Sequence, residues 1–333
     1  MSYNHKKTVL ITGGAGFIGS HTVDFFLSKG FKVKCLDNLS GGNLRNIAHL
    51  KNETNFSFEK GDLLKLDKFK SFIKNCEYVV HFAGIGDIVP SIENPKKYIE
   101  NNANGTLNLI NFLPIKKIKK FVYAASSSCY GLAKTPTSES HSIQTLYPYA
   151  LSKYMGEQIA LHWGKVFGLR VNSIRIFNAY GTRSRTTGAY GAVFGVFLKQ
   201  LLESKPLTVV GDGNQKRDFL YVTDVAEAFY KATLTSKNSE IWNLGSGNPQ
   251  SVNKLIKLLK PKNIIHIPKR PGEPNITFAN ISKIKKDLNW KPKISFEDGV
   301  EKILENIDYW KDAPLWNKKN IKLATKSWFK YMQ

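Results

Sequence analysis

With 333 residues the chain is long enough for one large unit carrying a smaller lobe and too short for three domains of ordinary size. Its 42% hydrophobic and 23% charged residues exclude a disordered or fibrous protein. The formal charge of +23 invites a nucleic-acid partner, yet only seven of the 49 basic residues are arginine, and the lysines are scattered over the whole chain in short pairs. No groove-reading or single-strand motif accompanies them, so the excess reads as solvated surface and no nucleic-acid partner is expected.

Three cysteines, Cys35, Cys76 and Cys129, lack metal-ligand spacing, and an odd number cannot all pair within the chain. A reducing cytoplasmic setting without a metal is therefore expected. No run of about 18 apolar residues exists, and the apolar start at Val9–Ile18 is interrupted by glycines, so neither a membrane span nor a leader is expected.

From residue 8 to about 176, short β-branched runs alternate with helical stretches, the order that builds a parallel sheet covered on both faces. The strands read as Thr8–Thr12, Phe31–Leu36, Phe56–Glu59, Tyr78–Phe82, Lys120–Ala125 and Arg170–Ile176, with helices at Phe17–Lys29, Tyr98–Phe112 and Tyr149–Phe167. After Phe177 the rhythm changes to loops marked by Gly, Arg and Pro, with helices near Ala192–Ser204 and Val225–Thr233, a strand at Ile241–Leu244, and further helices from Val252. The expectation is an α/β protein with a Rossmann-type doubly wound parallel sheet and a smaller C-terminal substrate-binding lobe. Residues 1–178, completed by about 218–250, form the nucleotide-binding part, and 179–217 with 251–333 form the lobe. Trp310, Trp316 and Trp328 near the C-terminus read as aromatic packing of a terminal helix and receive no chemistry.

The first strand runs directly into Gly13-Gly14-Ala15-Gly16-Phe17-Ile18-Gly19 and then a helix. Gly13 suits the tight turn, Gly16 the close approach of a pyrophosphate, and Gly19 the packing of helix on strand, while the helix N-terminus offers unpaired N–H groups beside Phe17 and Ile18. The second strand leads to Asp37 and Asn38, eighteen residues beyond Gly19, where a carboxylate accepts both hydroxyls of an adenosine ribose and repels a 2′-phosphate. That choice selects NAD. Gly61-Asp62-Leu63 and Phe82-Ala83-Gly84 follow the third and fourth strands, at the sheet edge where such folds bind ligands, and Asp62 suits the adenine amino group.

The fifth strand ends in Ser126-Ser127-Ser128, and the next long helix opens with Tyr149, four residues before Lys153. The two share one helix face, so Lys153 is expected to favour the phenolate of Tyr149 and make it a usable base. A Tyr-x-x-x-Lys pair alone is common on any helix and carries no function by itself.

Taken together with Asn102-x-x-Gly105-Thr106, Phe177-Asn178-x-Tyr180-Gly181, Gln215-x-Arg217-Asp218-Phe219-x-Tyr221 and Arg270-Pro271-Gly272-Glu273, these motifs resemble the extended short-chain dehydrogenase/reductase family, in particular its nucleotide-sugar 4-epimerases. The resemblance covers almost the whole chain. It implies a cofactor site that includes Asn102, Tyr149 and Lys153. It also implies that Ser126 hydrogen-bonds the sugar oxygen, that Tyr149 is the base, and that Asn178, Arg217 and Arg270 grip the diphosphate of a nucleotide-sugar substrate, expected to be UDP-linked. It implies a homodimer in which the Tyr98–Phe112 and Tyr149–Phe167 helices of each subunit pack as a four-helix bundle; their apolar positions recur at helical spacing, for example Ile99, Ala103, Leu107 and Ile110 on one and Met155, Ile159, His162 and Val166 on the other.

Relatives that eliminate water carry Asp and Glu at the positions of Ser127 and Ser128, and decarboxylating relatives keep a Glu at the second. Serine hydroxyls cannot do that acid–base work at neutral pH. Epimerisation at carbon 4 of UDP-glucose/galactose or of the N-acetylated pair remains, with a uronate epimerase or decarboxylase as the alternative. The segment from Thr187 to Val193, with Tyr190 inside it, and the small Thr277 resemble enzymes that accept N-acetyl groups. Arg183 and Arg185 could instead meet a uronate carboxylate, and Asp87 reads as a helix-start acid or a ligand to sugar hydroxyls. A catalytically silent NAD-binding regulator is the non-enzyme alternative, against which intact Ser126, Tyr149 and Lys153 speak.

Overall fold

Alternating short strands and helices resolve, in the computed structural model describing residues 6–186 and 193–332, into one large sheet with helices on both faces. The strands in chain order are β1 (Thr8–Thr12), β2 (Lys32–Asp37), β3 (Phe56–Lys60), β4 (Tyr78–His81), β5 (Lys120–Ser126), β6 (Val171–Ile176), β7 (Asn178–Tyr180), β8 (Leu207–Val210), β9 (Lys216–Arg217), β10 (Phe219–Tyr221), β11 (Ile241–Leu244), β12 (Gln250–Ser251) and β13 (Ile264–Ile267). Seven of them form a parallel sheet in the order β11-β6-β5-β4-β1-β2-β3. The chain leaves β1 in one direction and returns to β4 on its other side, so the winding reverses between these two strands. A crevice opens at that point, outside their carboxyl ends.

The central strands are apolar on both faces because helices cover both. Val9 and Ile11 pack into one core with Phe26, Val80, Ile174 and Trp242, while Leu10, between them, packs into the other with Val79, Leu109 and Phe121. A third core gathers Phe194, Phe197, Leu207, Phe219, Leu255, Ile303 and Trp310, all buried. Trp316 packs against the same cluster. Trp328 lines a cleft instead.

The stretch expected to be one helix from Tyr98 to Phe112 is three pieces. Pro95–Ile99 and Gly105–Phe112 are α-helical, and Glu100–Asn104 between them widens to the i→i+5 pattern. Asn102 sits in that wide turn, its carbonyl taken by the Thr106 hydroxyl at 2.6 Å and its amide turned to the loop after β4. No helix among the described residues is long and apolar enough to cross a membrane.

Candidate active site

Two clefts meet at the carboxyl ends of the central strands. The first, of about 480 Å³, is bounded by the glycine loop, the ends of β2 and β4, and the start of the helix Pro148–Phe167. Gly13 has φ +70°, and a Cβ there would lie 2.7 Å from the Ala83 nitrogen; one at Gly19 would lie 2.1 Å from the Gly13 carbonyl oxygen. Side chains at either point would push the loop off β4 or the helix off the loop.

Of the residues expected to hold a cofactor, Gly13, Gly16, Phe17, Ile18, Gly19, Asp37, Asn38, Asp62, Leu63, Phe82, Ala83, Gly84, Tyr149 and Lys153 line this cleft. Asp37 accepts hydrogen bonds from the Ala15 amide at 3.0 Å and the Leu39 amide at 2.8 Å, one on each oxygen. A carboxylate has about four acceptor positions, so both oxygens keep capacity toward the cleft. Burial pushes the Asp37 carboxyl up, and those amides oppose the rise. Asp62 is fixed by the Leu64 amide at 2.9 Å.

Asn102 does not line the cleft. It lies beneath it, accepting from the Ile85 amide at 2.8 Å and donating to the Ile85 carbonyl at 3.0 Å and to Ser152 at 2.8 Å. It shapes the loop after Gly84. Tyr309, by contrast, lines the cleft without having been expected there. Its hydroxyl donates to Asn46 at 2.7 Å, Arg45 lies 3.9 Å from its ring centre, and Asn46 donates in turn to the Ala15 carbonyl at 2.9 Å. No local pattern could have joined residues 46 and 309.

The second cleft, of about 500 Å³, shares Gly86, Asp87, Ser126, Tyr149, Phe177 and Ala179 with the first. Ser127, Ser128, Asn178, Val193, Arg217, Arg270 and Thr277 line it. Tyr190 lies outside the described residues. Arg217 and Arg270 both pair with Glu273, at 2.8 and 2.9 Å, so one carboxylate holds two guanidinium groups side by side. Thr277 donates to the Asn178 side chain at 2.7 Å and accepts from the Asp218 amide at 3.1 Å.

Where the clefts meet, the Ser126 hydroxyl lies near the Tyr149 phenol and shares a hydrogen bond at 2.7 Å with the Ser128 hydroxyl. Burial raises the Tyr149 phenol above its ordinary value; the Ser126 hydroxyl opposes this and nearby Asp87 adds to it. The expectation that Lys153 leaves this phenol lowered is thus not met in the chain alone, because desolvation outweighs the opposing contacts. Burial brings Lys153 itself down to about 8, with Glu157 pulling the other way.

Asp87 precedes the helix Ile88–Glu93 without capping it, and its carboxylate is ion-paired with Arg185 across the mouth of the first cleft. Arg183 lines the first cleft and is tied to Asp24 at 2.7 Å, which removes it from the sugar end where a uronate was expected to meet it. The junction thus offers the Tyr149 phenol with the buried Lys153 ammonium and adjacent serine hydroxyls beside it, and the second cleft adds a pair of arginines. No carboxylate stands at residues 127 or 128 beside the phenol.

Residues 9–245 match the NAD dependent epimerase/dehydratase family. A putative UDP-glucose 4-epimerase of Methanocaldococcus jannaschii is 36% identical over 303 residues, covering 89% of this chain and 97% of the relative. Among solved structures, a UDP-glucuronic acid 4-epimerase of Bacillus cereus, in complex with UDP-glucuronic acid and NAD, superposes with a TM-score of 0.84 at 32% identity, covering 92% of this chain and 99% of that one. A UDP-N-acetylglucosamine 4-epimerase of Methanobrevibacter ruminantium, in complex with UDP-N-acetylmuramic acid, superposes with a TM-score of 0.83 at 30% identity over 90% and 99%.

Proposed function

The chain belongs to the NAD dependent epimerase/dehydratase family, and from that premise we propose that it inverts carbon 4 of a UDP-linked hexose, with Tyr149 as the group that takes and returns the proton. The observation that carries this reading is the placement of Tyr149 and Ser126 together at the junction of the two clefts, each lining both. A sugar whose diphosphate lies against Arg217 and Arg270 would present its far end at that junction.

The family is NAD-dependent, and the first cleft fits the cofactor: the glycine loop has no room for side chains at Gly13 and Gly19, and Asp37 faces the ribose position. When bound, NAD supplies the hydride acceptor. Tyr149 accepts the proton of the 4-hydroxyl, and Ser126 holds the oxygen from which it leaves. The proton lost from the oxygen and a hydride lost from carbon 4, which bound NAD would accept, together leave a 4-keto sugar. Serines at 127 and 128 replace the acids with which water-eliminating relatives work, so the ketone turns within the second cleft; the hydride would then return to the opposite face of carbon 4 while Tyr149 gives the proton back to the oxygen.

Incubation with UDP-, GDP-, CDP- and dTDP-hexoses, products read by NMR, tests this. Interconversion of 4-epimers with UDP-sugars is the expected result; a 4-keto-6-deoxy product would refute it. A second reading, a UDP-uronate substrate, draws on Arg185 at the mouth of the first cleft and on the Bacillus cereus relative. In that case a uronate carboxylate would compete with Asp87 for Arg185.

A homodimer through the helix Pro148–Phe167 belongs to the same reading. Leu151 and Phe167 are 42% and 55% exposed there, and Met155 and Val166 are exposed beside them. Ala103 and Ile110, expected to face a partner, are buried within the protomer, so the apolar face rests mainly on this one helix. Light scattering at micromolar concentration would read a monomer if the proposal fails.

A further inference from the structure

We propose that Trp328, from the short helix Lys326–Tyr331, is a positioning residue of the nucleoside-diphosphate site, and that this helix forms one wall of the second cleft. The inference rests on the reading that a nucleotide sugar occupies that cleft. Trp328 is only 4% exposed, yet it is one of the residues lining the cleft. Its indole N–H donates to the Pro271 carbonyl at 2.6 Å, and its ring centre lies 5.5 Å from the Arg270 guanidinium. On the other side its ring stands 6.1 Å from that of Tyr147, which is stacked parallel to Tyr149 at 6.3 Å.

One side chain therefore touches both the Arg270 turn and Tyr147, the neighbour of Tyr149. The Arg270-Pro271-Gly272-Glu273 turn carries the guanidinium that would meet a diphosphate; Arg217 holds its far end through Glu273 and the Pro274 carbonyl, and Trp328 holds its near end. The indole bond fixes Pro271, and the ring face keeps Arg270 over it. Tyr147 carries the same wall on to the ring of Tyr149, and Tyr147 and Ser128 both line the cleft. The helix is anchored to the opposite rim as well, since Ser327 donates to Glu93 at 2.9 Å, at the end of the helix that begins beside Asp87. A bulky aromatic in a terminal segment is ordinarily packing; here the packing partners are the substrate-facing residues.

The test compares the parent with Trp328→Ala and Trp328→Phe, using UDP as the probe by calorimetry, the kinetics of the nucleotide sugar that the parent turns over, and the NAD content of the purified protein. Trp328→Ala should weaken UDP and raise KM by roughly tenfold, the worth of an aromatic–cation contact plus one hydrogen bond, with kcat within about threefold and NAD content unchanged. Trp328→Phe keeps a ring and loses the N–H, so it should fall between. Should the alanine variant fail to fold, the phenylalanine variant decides. UDP affinity and KM within about twofold of the parent in the folded variants overturn the inference, as does an equal loss of kcat and bound NAD, which would mark a purely structural role. A parent that binds UDP while the variants match it overturns this inference alone. A parent that binds neither UDP nor any nucleotide sugar overturns the functional reading and this inference with it.

Discussion

Glu157 and Arg175 form a two-armed ion pair inside the protein, one helical turn beyond Lys153. Arg175 Nε donates to both carboxylate oxygens at 3.1 Å and Nη2 to one of them at 2.6 Å, with Ser173 donating to Glu157 at 2.6 Å. The residues are 1% and 3% exposed. Arg175 also donates to the Tyr130 hydroxyl at 2.7 Å, which donates to Asn243 at 2.8 Å, so the pair ties the helix Pro148–Phe167 to β6, β11 and the turn after Ser126. Removing one charge strands the other. Glu157→Gln should cost about 3–5 kcal/mol of unfolding free energy, measured by urea denaturation. A loss below about 1 kcal/mol would show that the pair is dispensable to the fold.

Lys153 gives a pH-dependence whose sign follows from its burial. Its folded value near 8 lies below the ordinary lysine value of 10.5, so between those two the unfolded chain binds more protons than the folded one. Stability should therefore rise with pH through that window, and the contribution should be at its least favourable below about pH 8. Lys153→Met removes the titrating group, so the difference in stability between parent and variant should change with pH between about 8 and 10.5 and level off on either side. The measurement is urea unfolding of both proteins with NAD removed; a pH-independent difference would show that Lys153 titrates as in solvent.

The sheet is legible in the sequence because each buried strand is a short β-branched run and each crossover a helix-length segment, and the glycine loop is legible because only glycine fits at Gly13 and Gly19. Strand limits shift by a residue: β2 runs to Asp37 and β5 to Ser126, carrying both functional side chains onto the strand ends themselves. What stays hidden is contact across long separations. Tyr309 meets Asn46, and Trp328 meets Pro271, through the folding of the C-terminal segment back over both clefts, and no periodicity encodes such pairs. Asn102 is found by its motif, yet its place beneath the cleft depends on the widened turn at Glu100–Asn104, which a helical pattern reads straight through.

Tyr309 should govern how firmly the cofactor is held. Its ring and hydroxyl connect Arg45 and Asn46 to the glycine loop at one wall of the first cleft. Tyr309→Ala breaks both contacts, and the NAD retained after dialysis should fall, with dissociation faster by roughly tenfold for one lost hydrogen bond and one cation–π contact. Unchanged retention would place Tyr309 outside cofactor binding.

Tyr149→Phe removes the proton acceptor and leaves the ring. Turnover should fall by ~10²–10⁴-fold while NAD content stays at the parent level, because the glycine loop and Asp37 are untouched. The Ser126 hydroxyl keeps its Ser128 partner at 2.7 Å, so the local fold should hold. Turnover within about tenfold of the parent would transfer the role of base to another group.

Thr277 bears on which sugar is accepted. It lines the second cleft with a small side chain, donates to Asn178 and accepts from the Asp218 amide. If the space beside it admits an acetyl group at carbon 2, Thr277→Tyr should fill that space and abolish turnover of UDP-N-acetylglucosamine while UDP-glucose turnover persists, since discrimination then comes from a clash that only the larger sugar meets. The same change also deletes two hydrogen bonds, which alone could disturb Asn178. Thr277→Val separates the effects: it keeps the size and loses the hydroxyl, at a cost of about 1–3 kcal/mol for the polar groups left behind. Steric control requires that Val preserve the ratio of the two kcat/KM values and that Tyr shift it against the N-acetylated sugar. A Val variant that shifts the ratio as far as Tyr would assign the effect to Asn178 and its hydrogen bond. A parent that refuses N-acetylated sugars and accepts a uronate would move the decisive contact to Arg185, where Arg185→Ala should then remove uronate turnover and spare the neutral hexose.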